Sequence, residues 1–302
     1  MRCFFSIVVV CLNAGEKLKD TLDSIWGQTF RDFEVVVKDG GSGDGSLDYA
    51  YALAERIDRK ADTSEDREHE RAGDEDAGEG VDRRKVRVIQ KKDKGIYDAM
   101  NQAAEEAAGR YLYFLNCGDR FFSADVLEKM WGFIKGSEKA RGIFYGNIYE
   151  RKTGQVVASN PHMDVFGCYR NVPCHQACFY AREIVLAHPF EIKYKVRADY
   201  EQFLWCFLGY EKRERLAFAY KEIVIADYEG GGFSETKENR KLSGMEHREI
   251  TKKYMSAGQL FKFRMIMLLT LAPLRTRIAE NERTAGMYNW LRDRLYAGKR
   301  KR

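Results

Sequence analysis

The chain has 302 residues, of which 44% are hydrophobic and 13% aromatic, so it is long enough to bury a substantial core. This composition excludes a wholly disordered or fibrous protein. The net charge is only +5, but the basic residues are concentrated at the C-terminus, where residues 258–302 contain 11 Lys and Arg against three acids.

The seven cysteines are scattered along the chain, odd in number and without a CxxC pair. This pattern argues against a disulfide framework and against a zinc knuckle, and it favours reduced thiols in a cytosolic protein. The sequence also lacks the roughly 18 consecutive uncharged apolar residues that a bilayer-spanning helix needs, so no transmembrane helix is predicted.

Strand-like and helix-like segments alternate in the first half of the chain. In order, the predicted elements are a strand at Phe4–Leu12, a helix at Glu16–Thr29, a strand at Phe33–Lys38, a helix at Leu47–Arg56, a strand at Val86–Gln90 and a helix that ends near Ala108. The first strand is rich in β-branched residues and apolar on both faces, as a strand of a parallel sheet is. The order predicts an α/β fold whose central sheet is mostly parallel and carries helices on both faces.

Residues 58–84 interrupt this alternation because they are crowded with charge and almost free of large apolar side chains. Such a segment cannot bury enough surface to offset the entropy of ordering it. We therefore predict a disordered surface insertion that takes no part in the chemistry. A regulatory or partner-binding segment is the alternative.

Two acidic residues are predicted at the carboxyl ends of strands, which is where open α/β sheets bind their ligands. Asp39 follows the second strand and opens a glycine-rich loop that ends at Ser46, and Asp119 follows the apolar run Tyr111–Leu115. The loop does not match the dinucleotide-binding fingerprint, because its third glycine is missing and it follows the second strand. Asp119 either completes a turn or holds a hard divalent cation, which most often serves a phosphate-bearing substrate.

The second half of the chain adds three polar candidates. His175 and Gln176 lie among apolar neighbours in Pro173–Phe179, where a lone histidine is usually a satisfied core residue. Val196–Phe207 is predicted to be a helix with Asp199 near its start, where the helix dipole stabilises a carboxylate. By local pattern alone, Asp199 is either a helix cap or a functional acid.

Eight motifs, in order along the chain, together resemble glycosyltransferase family two. They are Phe4–Asn13, Ser24–Phe30, Asp39–Ser46, Asp93–Asn101, Leu115–Asp119, Cys174–Gln176, Arg197–Tyr200 and Gly230–Ser234. Members of this family are inverting enzymes of the GT-A fold, and the likeness is greatest to bacterial members that build surface polysaccharides. The resemblance therefore implies a GT-A type, Rossmann-like central sheet.

Roles for the donor side follow from this resemblance. It implies that Asp39 contacts the nucleotide base and that Asp93 and Asn116 belong to the nucleotide-sugar site. It also implies that Asp119, the last carboxylate of the DxD motif, meets Mn²⁺ or Mg²⁺ on the donor diphosphate. The sequence departs from the fullest motif because Asn116 and Gly118 stand where further carboxylates often occur.

Roles for the acceptor side follow in the same way. The resemblance implies that His175 and Gln176 lie near the donor phosphates or the acceptor. It implies that Asp199 is the general base, which must stand within hydrogen-bond reach of the acceptor hydroxyl to take its proton. Glu201 is the alternative base.

Residues 237–302 are predicted to form a basic, amphipathic helical extension of a catalytic domain that spans residues 1–236. Lys237–Met255 is a charged helix, and Gln259–Ile278 contains the apolar run Met265–Leu274 flanked by basic residues. This run is too short to span a bilayer, but its flanks favour a helix at an anionic membrane surface. Packing on the catalytic domain is the alternative. No nucleic-acid partner is predicted, because no nucleic-acid-binding fold is recognisable.

Together these features predict a metal-dependent, inverting enzyme of the hexosyltransferase type. Its donor would be a nucleotide sugar, uridine-linked, and its acceptor a saccharide or lipid-linked saccharide in cell-surface polysaccharide synthesis. It would act in the cytoplasm at the inner face of the cell membrane. A non-catalytic nucleotide-sugar-binding or assembly subunit is the alternative. A nucleotidyltransferase is disfavoured because Leu12–Gly15 does not match the basic, glycine-rich loop expected after its first strand.

Overall fold

The computed structural model describes residues 3–63, 82–231 and 236–270. Its strands are β1 (Phe5–Cys11), β2 (Phe33–Asp39), β3 (Lys85–Gln90), β4 (Tyr111–Phe114), β5 (Arg120–Phe121), β6 (Gly142–Glu150), β7 (Gln155–Val157), β8 (Cys178–Ala181) and β9 (Ala217–Tyr228). Its α-helices are α1 (Glu16–Trp26), α2 (Asp48–Thr63), α3 (Ile96–Glu106), α4 (Val126–Lys135), α5 (Val165–Arg170), α6 (Arg182–Ala187), α7 (Ala198–Leu204), α8 (Lys237–Tyr254) and α9 (Ala257–Leu269).

Within these ranges the strands form one sheet in the order β3-β2-β1-β4-β8-β6-β9-β5, and β7 pairs with the end of β6. The β3-β2-β1-β4 half is parallel throughout. Strands β1, β2 and β4 are buried along their whole length. The residues of β1 and β4 are apolar or aromatic except Ser6, whereas β2 also buries Glu34, Lys38 and Asp39. In the other half, β8 runs antiparallel to β4 and β6, whereas β9 runs parallel to β6. The predicted α/β fold is confirmed.

The parallel register determines where the polar residues lie. Cys11 pairs with Asp39 across β1 and β2, and Asp39 pairs with Gln90 across β2 and β3. The carboxyl ends of these strands therefore meet at one edge of the sheet. Asp39 ends β2, whereas Asp119 lies beyond a turn after β4 and directly before β5, not at the strand end as predicted.

The helix α2 continues to Thr63 instead of ending near Arg56. The predicted disordered insertion thus begins with helical residues, and its central part, residues 64–81, lies outside the described residues. After it, the backbone N–H of Arg83 donates to the carbonyl of Arg31 at 3.1 Å, and the Arg84 guanidinium lies 4.0 Å from the centre of the Trp26 ring. These two contacts hold the segment that directly precedes β3.

The chain divides into two compact units, residues Met1–Arg248 and residues Glu249–Arg302. The predicted domain boundary at residue 236 falls within the first unit. In the second unit, α9 begins with a capping box formed by Ser256 and Gln259. The predicted continuation of this helix beyond residue 270 lies outside the described residues. Among the residues described, no helix combines the length and apolar character needed to span a membrane.

Candidate functional site

A cavity of about 1110 Å³ opens next to the ends of β1 and β4. Five of the seven predicted site residues line it, namely Asn116, Asp119, His175, Gln176 and Asp199. They come from the turn after β4, the short turn before β8 and the start of α7. The fold therefore brings together residues that are far apart in the sequence. The two that do not line the cavity are Asp39, the last residue of β2, and Asp93, in the loop between β3 and α3.

Asp39 organises the glycine-rich loop that follows β2. Its Oδ2 accepts hydrogen bonds from the backbone N–H groups of Gly41 and Ser42, both at 2.8 Å, and its Oδ1 accepts one from the Ser42 hydroxyl. Burial raises the pKa of Asp39, but these hydrogen bonds outweigh burial and hold the pKa below its ordinary value. The loop is thus held by an ionised carboxylate, and the contact of Asp39 with a nucleotide base stays a prediction.

Lys38, which was not predicted as a site residue, connects the end of β2 to the loop that follows β3 and contains Asp93. Its fully buried ammonium donates to Asp93 Oδ2 at 2.9 Å, to the carbonyl of Lys91 at 2.6 Å and to the carbonyl of Asp39 at 3.0 Å. Three acceptors in this geometry compensate for removing the charge from water. A lysine at the end of a run of three valines is the sequence signal that would have identified it.

Replacing Lys38 by Met is expected to lower the free energy of unfolding by about 3 kcal/mol, because Asp93 would lose the partner of its partly buried charge. The matched control is Lys129→Met, which breaks an ion pair with Asp125 that is about half exposed and should cost less than about 1 kcal/mol. Urea denaturation of both variants measures the difference. Equal losses in the two variants would contradict a stabilising role for the buried pair.

Asp119 is almost fully buried, at 3% exposure, in the turn after β4. Its Oδ1 accepts a hydrogen bond from the backbone N–H of Glu229 at 2.8 Å, and its Oδ2 accepts one from the side-chain amide of Gln176. Burial raises the pKa of Asp119 to about 6, and these hydrogen bonds offset only part of that effect. Asp119 is therefore ionised at neutral pH at a cost, which a nearby cation would relieve.

A chain of polar contacts runs from the Asp119 turn to α7. The side-chain nitrogen of Asn116 lies 3.3 Å from Nε2 of His175, and Nδ1 of His175 lies 3.3 Å from Oδ2 of Asp199. A neutral His175 protonated on Nδ1 satisfies both contacts, because Nδ1–H then donates to Asp199 while Nε2 accepts from Asn116. His175 is therefore a linking residue in the cavity wall, not an isolated core histidine.

The other oxygen of Asp199, Oδ1, accepts from the hydroxyl of Tyr97 and from the backbone N–H of Tyr200, both at 2.9 Å. Burial raises the pKa of Asp199, but the hydrogen bond that His175 donates, together with these donors, outweighs burial and lowers the pKa. The Asp199 side chain is 22% exposed, so an ionised carboxylate faces the cavity. Tyr97 was missed as a site residue, although the motif Asp93–Asn101 contains it.

Glu201, the alternative base, does not line the cavity. Its side chain is fully buried, and its Oε2 lies 2.9 Å from Nε2 of His188. A base must reach the acceptor hydroxyl. This placement favours Asp199 over Glu201.

Oxygen donors suited to a hard cation are present at the cavity. They are the carboxylate of Asp119 and the side-chain oxygen of Asn116, which is buried and has no hydrogen-bond partner among the described residues. Such a donor set fits Mn²⁺ or Mg²⁺. The part of the chain described also holds one cluster of three potential ligands within 4.8 Å of one another, formed by His188, Glu191 and Glu201, but none of these residues lines the cavity.

Cationic side chains also line the cavity. Lys17 does so while its ammonium pairs with Glu229 at 2.8 Å, and Arg170, Lys195 and Arg197 lie along the wall near Asp199. Cations in a cleft attract anionic ligands and strengthen their binding where water is excluded. The cavity thus combines an acidic side chain suited to a cation with basic side chains suited to phosphate.

Comparison with known proteins places this site in context. The sequence model described as "Glycosyl transferase family 2" matches residues 6–176. A curated relative, the PGL/p-HBAD biosynthesis glycosyltransferase of Mycobacterium bovis (strain BCG / Pasteur 1173P2), is 32% identical over 234 residues, which cover 77% of this chain and 79% of that protein. An uncharacterized glycosyltransferase of Mycobacterium tuberculosis (strain CDC 1551 / Oshkosh) is 25% identical over 211 residues, 65% of this chain and 66% of that protein.

Among solved structures, S. aureus TarS 1–349 in complex with UDP is similar with a TM-score of 0.58 and 17% sequence identity, covering 94% of this chain and 74% of that chain. The same protein in complex with UDP-GlcNAc gives a TM-score of 0.56 with 15% identity, over 85% of this chain and 69% of that chain. At these identities the likeness concerns the fold alone, and it agrees with the GT-A type expected from the sequence.

Proposed function

Because the chain belongs to glycosyl transferase family 2 and is a glycosyltransferase, we propose that it transfers a sugar with inversion from a nucleotide-sugar donor, uridine-linked, to a saccharide or lipid-linked saccharide acceptor. The observation that supports this most is the arrangement of one cavity. Asp119 and Asn116 lie on one side, Asp199 lies on the other, and His175 joins them. A donor diphosphate bound at the first side and an acceptor hydroxyl bound at the second would meet in the same cavity.

In the proposed reaction Asp199 accepts the proton of the acceptor hydroxyl while that oxygen attacks the anomeric carbon and the bond to the diphosphate breaks. His175, Tyr97 and the Tyr200 N–H hold the carboxylate in its charged form. Asp119 and Asn116 would hold Mn²⁺ or Mg²⁺, which when bound would neutralise charge on the leaving diphosphate. Positioning of both substrates in one cavity lowers the barrier further.

The choice of a uridine donor rests on the motif resemblance and on the fold shared with TarS, which was solved with UDP and with UDP-GlcNAc. The choice of a surface-polysaccharide acceptor rests on the motif resemblance. The relative from Mycobacterium bovis is named for PGL/p-HBAD biosynthesis, which supports an acceptor used in building a larger product. Cations along the wall beside Asp199 suit an acceptor that carries phosphate.

The proposal is tested by incubating the purified protein with a panel of UDP-, GDP- and dTDP-linked sugars, Mn²⁺ and a panel of lipid-linked and synthetic saccharides. Nuclear magnetic resonance of the product reports the anomeric configuration. We expect one donor to transfer with inverted configuration. Retention of configuration would overturn inversion, and no release of any nucleoside diphosphate would overturn the enzyme assignment.

We further propose that the second unit attaches the protein to the inner face of the cell membrane. Along α9 the side chains of Phe261, Met265, Leu268 and Leu269 fall on one face and are 40–78% exposed. Lys262 and Arg264 lie on the same helix and are exposed. An apolar face with basic neighbours favours an anionic lipid surface, where each Lys or Arg adds on the order of 1 kcal/mol.

Replacing Phe261 by Ser is expected to weaken binding to phosphatidylglycerol vesicles by about 10- to 150-fold, because burial of one large apolar side chain contributes roughly 1.5–3 kcal/mol. The matched control is Phe122→Ser, which alters an exposed phenylalanine of the first unit. Co-sedimentation of the full chain measures both, with phosphatidylcholine vesicles as the neutral reference. If the protein binds phosphatidylglycerol and phosphatidylcholine vesicles equally well, or if the two variants bind phosphatidylglycerol vesicles equally well, the membrane proposal is wrong.

A further inference from the structure

We propose that Glu246, on helix α8, is a positioning residue that fixes the segment carrying Asp199. This inference rests on the proposed role of Asp199 as the base. The sequence suggested a separate extension for this helix, whereas its contacts in the first unit lead directly to the segment before α7.

Glu246 is 5% exposed and binds three consecutive backbone N–H groups. Its Oε1 accepts from Lys195 at 2.8 Å, and its Oε2 accepts from Val196 at 3.1 Å and from Arg197 at 2.9 Å. Hydrogen bonds to a charged acceptor are stronger than neutral ones. One carboxylate therefore sets the backbone of the three residues that enter α7.

The need for such a residue follows from the helix itself. The helix α7 has only 7 residues, and its cap, Arg197, makes no side-chain capping hydrogen bond. Short helices without a cap are poorly fixed at their first turn, where Asp199 lies. Glu246 does not replace that cap, since the N–H groups it binds belong to Arg197 and the two residues before it, but it holds the backbone from which the helix starts.

Other contacts of α8 lie on both sides of Asp199. The Arg197 guanidinium donates to the carbonyl of Ser243 at 3.1 Å and to its hydroxyl at 2.7 Å. The His247 ring lies 5.1 Å from the Tyr200 ring. Two residues of α8 thus flank the base segment, with Glu246 between them.

The carbonyl of Val196 links this support to the base. It lies 2.9 Å from the Tyr97 hydroxyl, which also lies 2.9 Å from Oδ1 of Asp199. The two acceptors share the one proton of that hydroxyl, so a shift of the Val196 carbonyl would change how the hydroxyl binds the carboxylate. If Glu246 only attached α8 to the protein, its loss would affect every reaction of the site equally. Loss of a positioning residue should instead impair the step that needs the base.

The test compares Glu246→Gln with Glu238→Gln, which makes the same change at an exposed position of the same helix. The glutamine keeps the shape of the side chain but presents an N–H group where one of the two oxygens accepted. Transfer is measured with the donor and acceptor that the unmodified protein uses in the panel above, and hydrolysis of the same donor by water is measured alongside. Water can react without Asp199 being aligned to an acceptor hydroxyl, so the ratio of the two rates reports on positioning.

We expect Glu246→Gln to lower kcat for transfer by about tenfold or more, with KM for the donor changed less than about twofold and the ratio of hydrolysis to transfer raised. Glu238→Gln should match the unmodified protein. Equal behaviour of the two variants, or a proportional loss of transfer and hydrolysis, overturns the inference. Glu246→Asp, which keeps the charge but shortens the reach, replaces Glu246→Gln if the latter does not fold, with the same expectations. Unimpaired transfer by Asp199→Asn would instead overturn the proposed function itself.

Discussion

Replacement of Asp199 by Asn is expected to lower the rate of transfer by about 10²–10⁴-fold while the Kd for UDP changes less than about twofold. The asparagine can still accept the Tyr200 N–H at Oδ1, but it cannot take a proton from an acceptor hydroxyl. Steady-state transfer and nucleotide titration on the same preparation measure the two effects. A non-catalytic sugar-nucleotide binder would lose nothing in either measurement.

The stability of the Asp199→Asn variant against urea is a second measurable consequence. The folded-state pKa of Asp199 is lowered, so the charged carboxylate contributes stability above the unfolded pKa and loses it as pH falls through the folded pKa. At pH 7 the Asn variant should therefore unfold at lower urea concentration than the unmodified protein. Asp20→Asn, at an exposed ion pair with Arg120, is the control and should alter neither transfer nor stability appreciably. Transfer within about threefold of the unmodified rate in Asp199→Asn would contradict the assignment of the base.

Replacement of Asp119 by Asn is expected to weaken metal-dependent UDP binding by about 100-fold or more, beyond the 10–100-fold that loss of an outer-shell partner of a metal costs. The amide has no charge to offer a cation, although its oxygen can still accept from the Glu229 N–H. Equilibrium dialysis with UDP, with and without Mn²⁺, measures the change. Binding that is independent of Mn²⁺ in the unmodified protein would remove the metal from this account.

The same variant should not be less stable in the absence of metal. Burial raises the pKa of Asp119 to about 6, above its unfolded value, so the folded state binds more protons and stability falls as pH rises from about 4 to 6. Above that range the ionised carboxylate opposes folding, and Asn removes this cost. Unchanged or raised urea resistance at pH 7.5, together with lost UDP binding, would show that the loss is local to the site.

The parts of the fold that the sequence predicted are those set by local pattern. Strand β1 is apolar on both faces, so its burial could be predicted from composition alone, whereas β2 also buries Glu34 and Lys38, whose partners only the tertiary fold supplies. The four-residue strand β8 was missed because it is too short to show a period and lies in a segment selected for its histidine. Its insertion between β4 and β6 depends on long-range pairing, which no local window contains.

The candidate site divides in the same way. Asp119 and Asp199 stood in motifs that resemble a known family, and the structure places both at one cavity. Tyr97 and Glu246 could not be identified as partners of the base segment, because they lie 102 residues from Asp199 and 50 from Val196. Only the tertiary fold creates these contacts. Lys38 is the intermediate case, since a lysine that follows three valines in a predicted strand already indicates a buried charge that needs a partner.

The central claim is that the cavity binds a nucleotide-sugar donor through its diphosphate. Calorimetric titration of the unmodified protein with UDP, GDP, dTDP and CDP, each with and without Mn²⁺, tests it most directly. The account predicts that UDP binds, that Mn²⁺ strengthens this binding, and that the other nucleotides bind more weakly. Absence of binding by every nucleoside diphosphate in the presence of Mn²⁺ would contradict it.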